Sequence, residues 1–384
     1  MKKNKFLKNA AVQSLIASLL CIILGLLIGY IVLLFINPEG AGQAIIAVVK
    51  NFLNSSRANL RLKNLGNTLV KTAPLLMCAL SVLFAYKVGL FNIGAAGQFV
   101  AGSCACLISS LGWGWSWLPC LVFTILVGAA YGAIVGLLKA YRNVNEVISG
   151  IMLNWIGLYT TNMILNSVKE PTSPYTLHVA TEAPQALLPS LGIGNLFSGN
   201  NYTTIAIPLS VIIAIVIMVV LDKTKLGYEL KATGNNKNAA KYAGMAEKRN
   251  IILTLAIAGA LAALGAAFLY QTDYEQWSVT QSSVPGMGFN GIAAAFLGGL
   301  NPIGTIFASY FIQHITNGGG YVDLTMYSSQ ISDLISSLII YLCGFVLFIK
   351  YAMNAGIAKR EEKQAQKEKL AAAAAAGSGK GGDE

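Results

Sequence analysis

The chain has 384 residues, 55% of them hydrophobic and only 11% charged, whereas a soluble domain carries roughly 25% charged residues. That composition excludes a soluble enzyme and indicates an integral membrane protein. The net charge of +11 calls for no nucleic-acid partner, because membrane topology accounts for most of it, as the distribution below shows.

The chain opens with MKKNKFLK and a long apolar run at 12–36. A signal peptide has an apolar core of only about 7–15 residues, so this run reads as an uncleaved first span. Further apolar runs follow at 68–86, 118–138, 147–165, 203–221, 251–270, 303–316 and 330–349. Each approaches the ~20 residues that a helix needs to cross the hydrocarbon core. Two shorter runs, 94–111 and 290–300, are rich in Gly and Ala and read as short or broken spans. The fold class is therefore an all-α polytopic membrane protein with about ten transmembrane helices, since lipid leaves backbone polar groups no partner outside the helix. By domain, 1–11 is a cytoplasmic N-terminus and 12–350 a transmembrane domain. The latter contains a cytoplasmic loop at 222–250. Residues 351–384 form a charged, low-complexity tail, whose GSGKGG lacks the spacing of a phosphate loop.

With ten spans and a cytoplasmic N-terminus, 21 of the 27 Lys and Arg residues fall on inside segments. This obeys the positive-inside rule with both termini in the cytoplasm. The exceptions cluster at Lys50, Arg57, Arg61, Lys63 and Lys71. Trp113, Trp115 and Trp117 sit at the outer turn between spans three and four, as an interfacial belt would. The six cysteines include no CxxC pair and read as small apolar fillers; with two histidines, a metal centre is not expected.

Ion-coupled transporters bury ionisable groups within their spans. Here Lys71 and Lys87 bracket the second span, Glu146 starts the fifth and Asp333 starts the last, but no carboxylate lies near the centre of any span. No repeated filter motif suggests a channel. A transporter without a visible coupling residue equilibrates its solute passively or draws energy from another subunit.

The cytoplasmic loop contains GYELKATGNNKNAAKYAGM at 227–245. Helical spacing from 238 to 245 places Ala239, Ala240, Ala243 and Gly244 on one arc of roughly 140°, with Lys237, Lys241 and Lys248 on the adjoining arc. Gly234 reads as a turn, and Asn235 and Asn236 as caps. A helix with so little apolar bulk suits either close docking to another protein or a solvated position near lipid headgroups.

The stretch resembles the coupling loop of ABC-importer permeases of the branched-chain amino acid, ribose and nucleoside class. FNIGAAGQ at 91–98 and FNGIAAAFLGGLNPIGTIFAS at 289–309 resemble two further motifs of that class, in the expected order, so the likeness runs from about 64 to 350. The chain departs from the pattern at Ala96, where Glu is common, and at Lys231, where Arg is common. NIGAAGQ with the long N-terminal extension is most similar to the purine-nucleoside (guanosine-type) subgroup. The resemblance implies a coupling site at Gly227, Lys231, Gly234, Asn235, Ala239, Ala240, Ala243 and Gly244. It also implies cytoplasmic ATPase subunits that hold ATP and Mg, a second homologous permease subunit, an extracellular substrate-binding lipoprotein, and a place in the bacterial cell membrane. No cofactor is expected in this chain and no covalent chemistry.

In this topology FNIGAAGQ lies at the inner end of span three and FNGIAAAFLGG at the outer end of span eight, on opposite faces, as an inverted repeat of spans 2–5 and 7–10 would place them. Small residues there also serve plain helix packing. Read as a substrate pathway, Asn92, Gln98, Asn154 and Asn290 offer amides, and Phe91, Trp155 and Phe289 offer flat faces. Such a lining suits a neutral, hydrogen-bonding solute: a nucleoside first, a simple sugar second. A stand-alone secondary transporter and a passive channel are the rival readings. The outer loop 167–201, with four prolines, would meet the binding protein or act as a linker.

Overall fold

The computed structural model describes residues 10–359 except 329 and 347, together with 362, 363 and 366. The basic segment 1–9 and most of the low-complexity tail lie outside the described residues. The described chain is helical, with two isolated bridges, Lys169–Thr176 and Tyr175–Ser278, and no strand.

In chain order the helices are α1 (Ala10–Ile36), α2 (Ala41–Lys50), α3 (Ala58–Lys87), α4 (Ala95–Leu107), α5 (Trp117–Arg142), α6 (Glu146–Leu165), α7 (Ala206–Lys223), α8 (Lys225–Asn235), α9 (Lys237–Tyr242), α10 (Glu247–Tyr270), α11 (Gly286–Leu297), α12 (Pro302–Gly318) and α13 (Ile331–Cys343). A π-helical turn, Ile108–Gly112, extends α4. Six of these segments are long and apolar enough to cross a membrane: Ile16–Ile36, α3, α4 with its π turn, α5, α7 and α10. Helix α6 has the length but carries Asn154, Thr160, Thr161 and Asn162, which lower its apolarity. Helix α11 is apolar but short.

The core forms where α3, α4 and α10 meet. The spans centred there are mostly buried, whereas α1, α5 and α7 expose most of theirs, as surfaces facing lipid or another subunit do. Backbones approach one another through glycine. Gly128, Gly132 and Gly136 of α5 recur every four residues along one face, against Gly259, Leu255 and Ile252 of α10. At Gly132 a Cβ would overlap the Leu255 carbonyl, and at Gly259 the Gly128 carbonyl, so only glycine allows this crossing. Gly25 and Gly29 of α1 likewise seat Ile339 and Ile335 of α13. The five cysteines whose side chains are described are free thiols, four of them buried; the Cys343 side chain lies outside the described set.

Two sequence boundaries change. The run 68–86 becomes a 30-residue helix that starts at Ala58. Nothing breaks the helix between 58 and 67, and the polar groups there find partners in neighbouring loops. Lys71 is therefore well inside α3 rather than at its edge. The loop 166–205 is also no free linker. Asp273 accepts from the Val179 backbone N–H at 2.9 Å and meets the His178 ring at 3.1 Å, while Gln276 donates to Glu170 at 3.0 Å. Buried Trp277 donates to Asn162 of α6 at 2.9 Å, which fastens this layer to the helices.

Candidate functional site

Three arrangements hold chemistry-bearing residues: the loop between α7 and α10, the junction of α4 with α11, and a polar mouth beside the start of α3.

In the loop, Thr224 breaks α7 with extended backbone, and its hydroxyl accepts from the Gly227 N–H at 3.1 Å, which starts α8 at once. Gly227 has no room for a Cβ because it packs on the Val220 carbonyl; this lets α8 fold back along α7. Lys231 reaches Asp222 at 3.2 Å. Asn236 caps α9 by accepting from the Ala239 N–H at 3.0 Å. Ala239, Ala243 and Gly244 are exposed, with Gly244 at φ +80, a conformation glycine adopts at little cost.

The structure corrects three residues here. Ala240 is not on the open face: it is buried and seats α9 on its own chain. Gly234 is not a turn but the last turn of α8, pressed against Val88 and Gly89 so closely that a Cβ would overlap the Val88 carbonyl. Asn235 is the last residue of α8, and its neighbour Asn236 does the capping. Tyr242 was missed. It is 94% exposed at the tip of α9, and its only sequence signal is one aromatic among small and polar residues.

The loop is tied to the membrane part. Asn250 of α10 donates to Thr233 at 2.8 Å, and Gly234 rests on the segment that leads from α3 into FNIGAAGQ.

That segment turns back after Lys87, and Asn92 donates to Ser81 of α3 at 2.9 Å. Helix α4 thus begins beside the interior of α3. Helix α11 begins at the same place: Gly288 leaves no room for a Cβ against Ala96, and Gly291 packs on Cys78 and Ala79. The two motifs meet instead of lying on opposite faces, because each helix starts part-way through the bundle after a non-helical approach (88–94 and 278–285).

A helix that starts inside a membrane leaves N–H groups without partners. Asn154 of α6 meets that need: its Oδ1 accepts from the Gly97 N–H at 2.7 Å, and its Nδ2 donates to the Ile93 carbonyl at 3.2 Å. Asn92 and Gln98 form a reciprocal amide pair, at 2.8 and 3.2 Å. All three are buried. Trp155 points outward, 44% exposed, and stacks on Tyr159. Phe91 and Asn290 are half-buried and Phe289 is exposed; the Asn290 side chain makes no hydrogen bond among the described residues. Of the seven pathway candidates, the junction holds Asn92, Gln98 and Asn154 together, sets Phe91, Phe289 and Asn290 around it, and excludes Trp155.

The mouth was not visible in the motifs. Asn64, Asn67, Thr68, Lys71 and Thr72 recur on one face of α3, and that face turns inward. Asn64 donates to the Tyr321 hydroxyl at 2.6 Å, Asn67 accepts from Asn200 at 2.8 Å, and Thr68 accepts from Asn317 of α12 at 3.4 Å. Lys71 pairs with Glu275 at 2.7 Å and lies 5.4 Å from the Tyr274 ring centre. Tyr274 in turn meets Tyr202 edge-on at 5.2 Å. Burial raises the Tyr274 phenol above its ordinary pKa while Lys71 opposes the shift, so it stays a neutral donor near pH 7. The signal was a polar residue every third or fourth position through the first half of a span.

Residues 64–344 match the family profile described as the branched-chain amino acid transport system / permease component. The chain is 32% identical to the nucleoside ABC transporter permease protein NupB of Lactococcus lactis, over 93% of this chain and 97% of that protein. It is 29% identical to the guanosine ABC transporter permease protein NupP of Bacillus subtilis, over 88% and 96%. It is 28% identical to the glucose ABC transporter permease protein TsgB13 of Haloferax volcanii, over 77% and 80%. No solved structure matches. With a matched profile that covers most of the chain and a relative above 30% identity along nearly its whole length, the protein belongs to the branched-chain amino acid transport system / permease component family, as a multi-pass permease subunit of an ABC transporter.

Proposed function

We propose that this permease subunit imports nucleosides. The observation that carries this reading is the near end-to-end likeness to NupB and NupP, stronger than that to the glucose permease. The interior supports it: the polar groups beside the path are amides, hydroxyls, tyrosines and one neutralised ion pair, which suit an uncharged ring-bearing solute with a sugar. Phe91, Phe289 and Asn290 at the α4–α11 junction are the pathway residues with partly open side chains.

The chain makes ten crossings with both termini in the cytoplasm. Lys139 and Glu146 pair at one end of the bundle (2.7 Å), the end where Gly234 meets Val88. Trp117 accepts from Gln271 at the other end. The meeting of α4 and α11, each after a long helix and a non-helical approach, supports an inverted repeat of α3–α6 and α10–α13.

ATP hydrolysis belongs to separate subunits, to which the exposed face of α9 docks. Ala239, Ala243 and Gly244 let the partner's backbone come close, and Tyr242 is the anchor. The hairpin made by Gly227 and the Lys231–Asp222 pair holds that face rigid. A homologous permease covers part of the exposed α5–α6 surface, and a binding lipoprotein delivers solute to the outer loops.

Co-purification tests the docking. The native chain brings down an ATPase in mild detergent. Ala243→Arg and Tyr242→Ala each lose it, while the chain stays folded because both side chains point away from it. An ATPase retained by both variants would contradict the assigned face.

A further inference from the structure

The strongest unassigned feature is the polar mouth beside α3. We infer that the mouth, centred on Lys71, Tyr274 and Glu275 and continuing along α12 to Gln313 and Ser309, is a binding site of this permease for the transported nucleoside. This rests on the nucleoside reading above and assigns its site.

A charged pair inside a transmembrane bundle marks a pathway or a structural tie. Here the pair is half open, with Lys71 27% and Glu275 39% exposed, although the span that carries Lys71 is 89% buried. The pair is therefore reachable beside a span that is otherwise closed. Around it lie α3, the loop after α10 that carries Tyr274 and Glu275, and Tyr202 ahead of α7. Asp333 at the start of α13 also acts electrostatically on Lys71.

A second observation is independent of the pair. Asn317, Gln313 and Ser309 follow one another at four-residue steps on α12, and Asn317 bonds Thr68 of the α3 stripe. One and two turns further along, Gln313 and Ser309 are buried at 4% and 0% exposure. Gln313 Oε1 and Ser309 Oγ nevertheless have no partner. Buried polar atoms are nearly always bonded. At the junction of α4 and α11, every one of Asn92, Gln98 and Asn154 is. Two consecutive orphans on one face, extending a polar stripe that starts at an open mouth, are acceptors and donors held ready for something that arrives.

The chemistry of the mouth selects the solute. The Tyr274 and Tyr202 rings already meet edge-on, and this aromatic pair offers a flat purine or pyrimidine a surface to pack against. The Glu275 carboxylate has capacity beyond its bond to Lys71 and accepts two donors in parallel, from a vicinal diol or from the N–H edge of guanine. Lys71 pairs with that carboxylate, so Glu275 meets the solute as half of an ion pair and not as a bare charge. Gln313 and Ser309 then take over the sugar hydroxyls as the solute descends.

The test is thiol labelling in membranes that hold the whole complex. Gln313→Cys and Ser309→Cys are treated from the outside with a hydrophilic methanethiosulfonate reagent, with the native chain as background. Guanosine is the probe, and guanine and ribose are its halves. Both positions are buried in this conformation, so labelling is expected while the complex turns over with ATP, with protection by guanosine and weaker protection by each half. Adding Lys71→Met or Glu275→Gln shifts the half-protecting guanosine concentration up by about tenfold, the loss expected for one charge-assisted bond. The exchanged pair, Lys71→Glu with Glu275→Lys, keeps the tie but moves the carboxylate, so the shift remains. Two outcomes overturn the inference: no labelling at either cysteine while the variants still take up guanosine, or a return to native half-protection in the exchanged pair, which would make the ion pair a structural tie only. If the native complex takes up no guanosine, the nucleoside reading fails instead. External labelling without protection by guanosine, in a complex that does transport it, removes the binding site while leaving the nucleoside reading intact.

Discussion

The α4–α11 junction and the mouth beside α3 hold the same kinds of side chain and use them in opposite ways. At the junction, Asn92, Gln98 and Asn154 are fully buried and spend their amides on one another, on Ser81 and on the free backbone ends of a helix that begins inside the bundle. At the mouth, Lys71 and Glu275 stay half open, and the stripe beyond them ends in two buried atoms with no partner. An amide in a span is thus no sign of a solute by itself. A broken helix needs amides to exist at all, whereas Gln313 and Ser309 each leave a buried oxygen that their own chain does not use.

That contrast can be broken by substitution. The largest effect is expected where neither region is touched, at the glycine crossing that supports both. Gly132→Leu overlaps the Leu255 carbonyl and costs about 3 kcal/mol, the upper end for overpacking, seen as loss of folded protein in detergent. Next comes Asn154→Leu, which strands the Gly97 N–H; it lowers stability by about 2 kcal/mol, read as a fall in Tm. Gln313→Leu has the opposite sign. With no bond to lose, the chain becomes more stable by about 1 kcal/mol, while guanosine uptake slows; a fall in Tm as large as that of Asn154→Leu would erase the distinction between the regions. Lys71→Met is the smallest in stability, under about 1 kcal/mol for a half-exposed pair, so any large change it causes in solute protection belongs to binding.

Much of this was legible in the residues. Apolar runs at 12–36, 118–138 and 251–270 sit within helices, the run 203–221 supplies α7 from Ala206 onward, and the small-residue stretch of GYELKATGNNKNAAKYAGM forms the short helix α9. Spacing placed Ala239, Ala243 and Gly244 on an open face. It misplaced Ala240, because an arc of small residues does not reveal which edge of it touches the chain's own helices. The levels of FNIGAAGQ and FNGIAAAFLGG were misjudged for a related reason. Alternating whole spans across the membrane assumes that every helix begins at a surface, and α4 and α11 do not. Lys71 was set at a boundary because hydropathy averages away a polar stripe that faces inward. The partners of such a stripe, Glu275 and Tyr274, are about 200 residues away in the chain, beyond the reach of local pattern.

ATP-driven uptake is the most direct test of the account as a whole. The native complex, reconstituted in proteoliposomes with its ATPase and binding protein, is expected to accumulate radiolabelled guanosine only when ATP is present on the ATPase side. The same vesicles with Ala243→Arg in the α9 face are expected to lose that accumulation. Accumulation without ATP, or undiminished accumulation with Ala243→Arg, would contradict an importer powered through this loop.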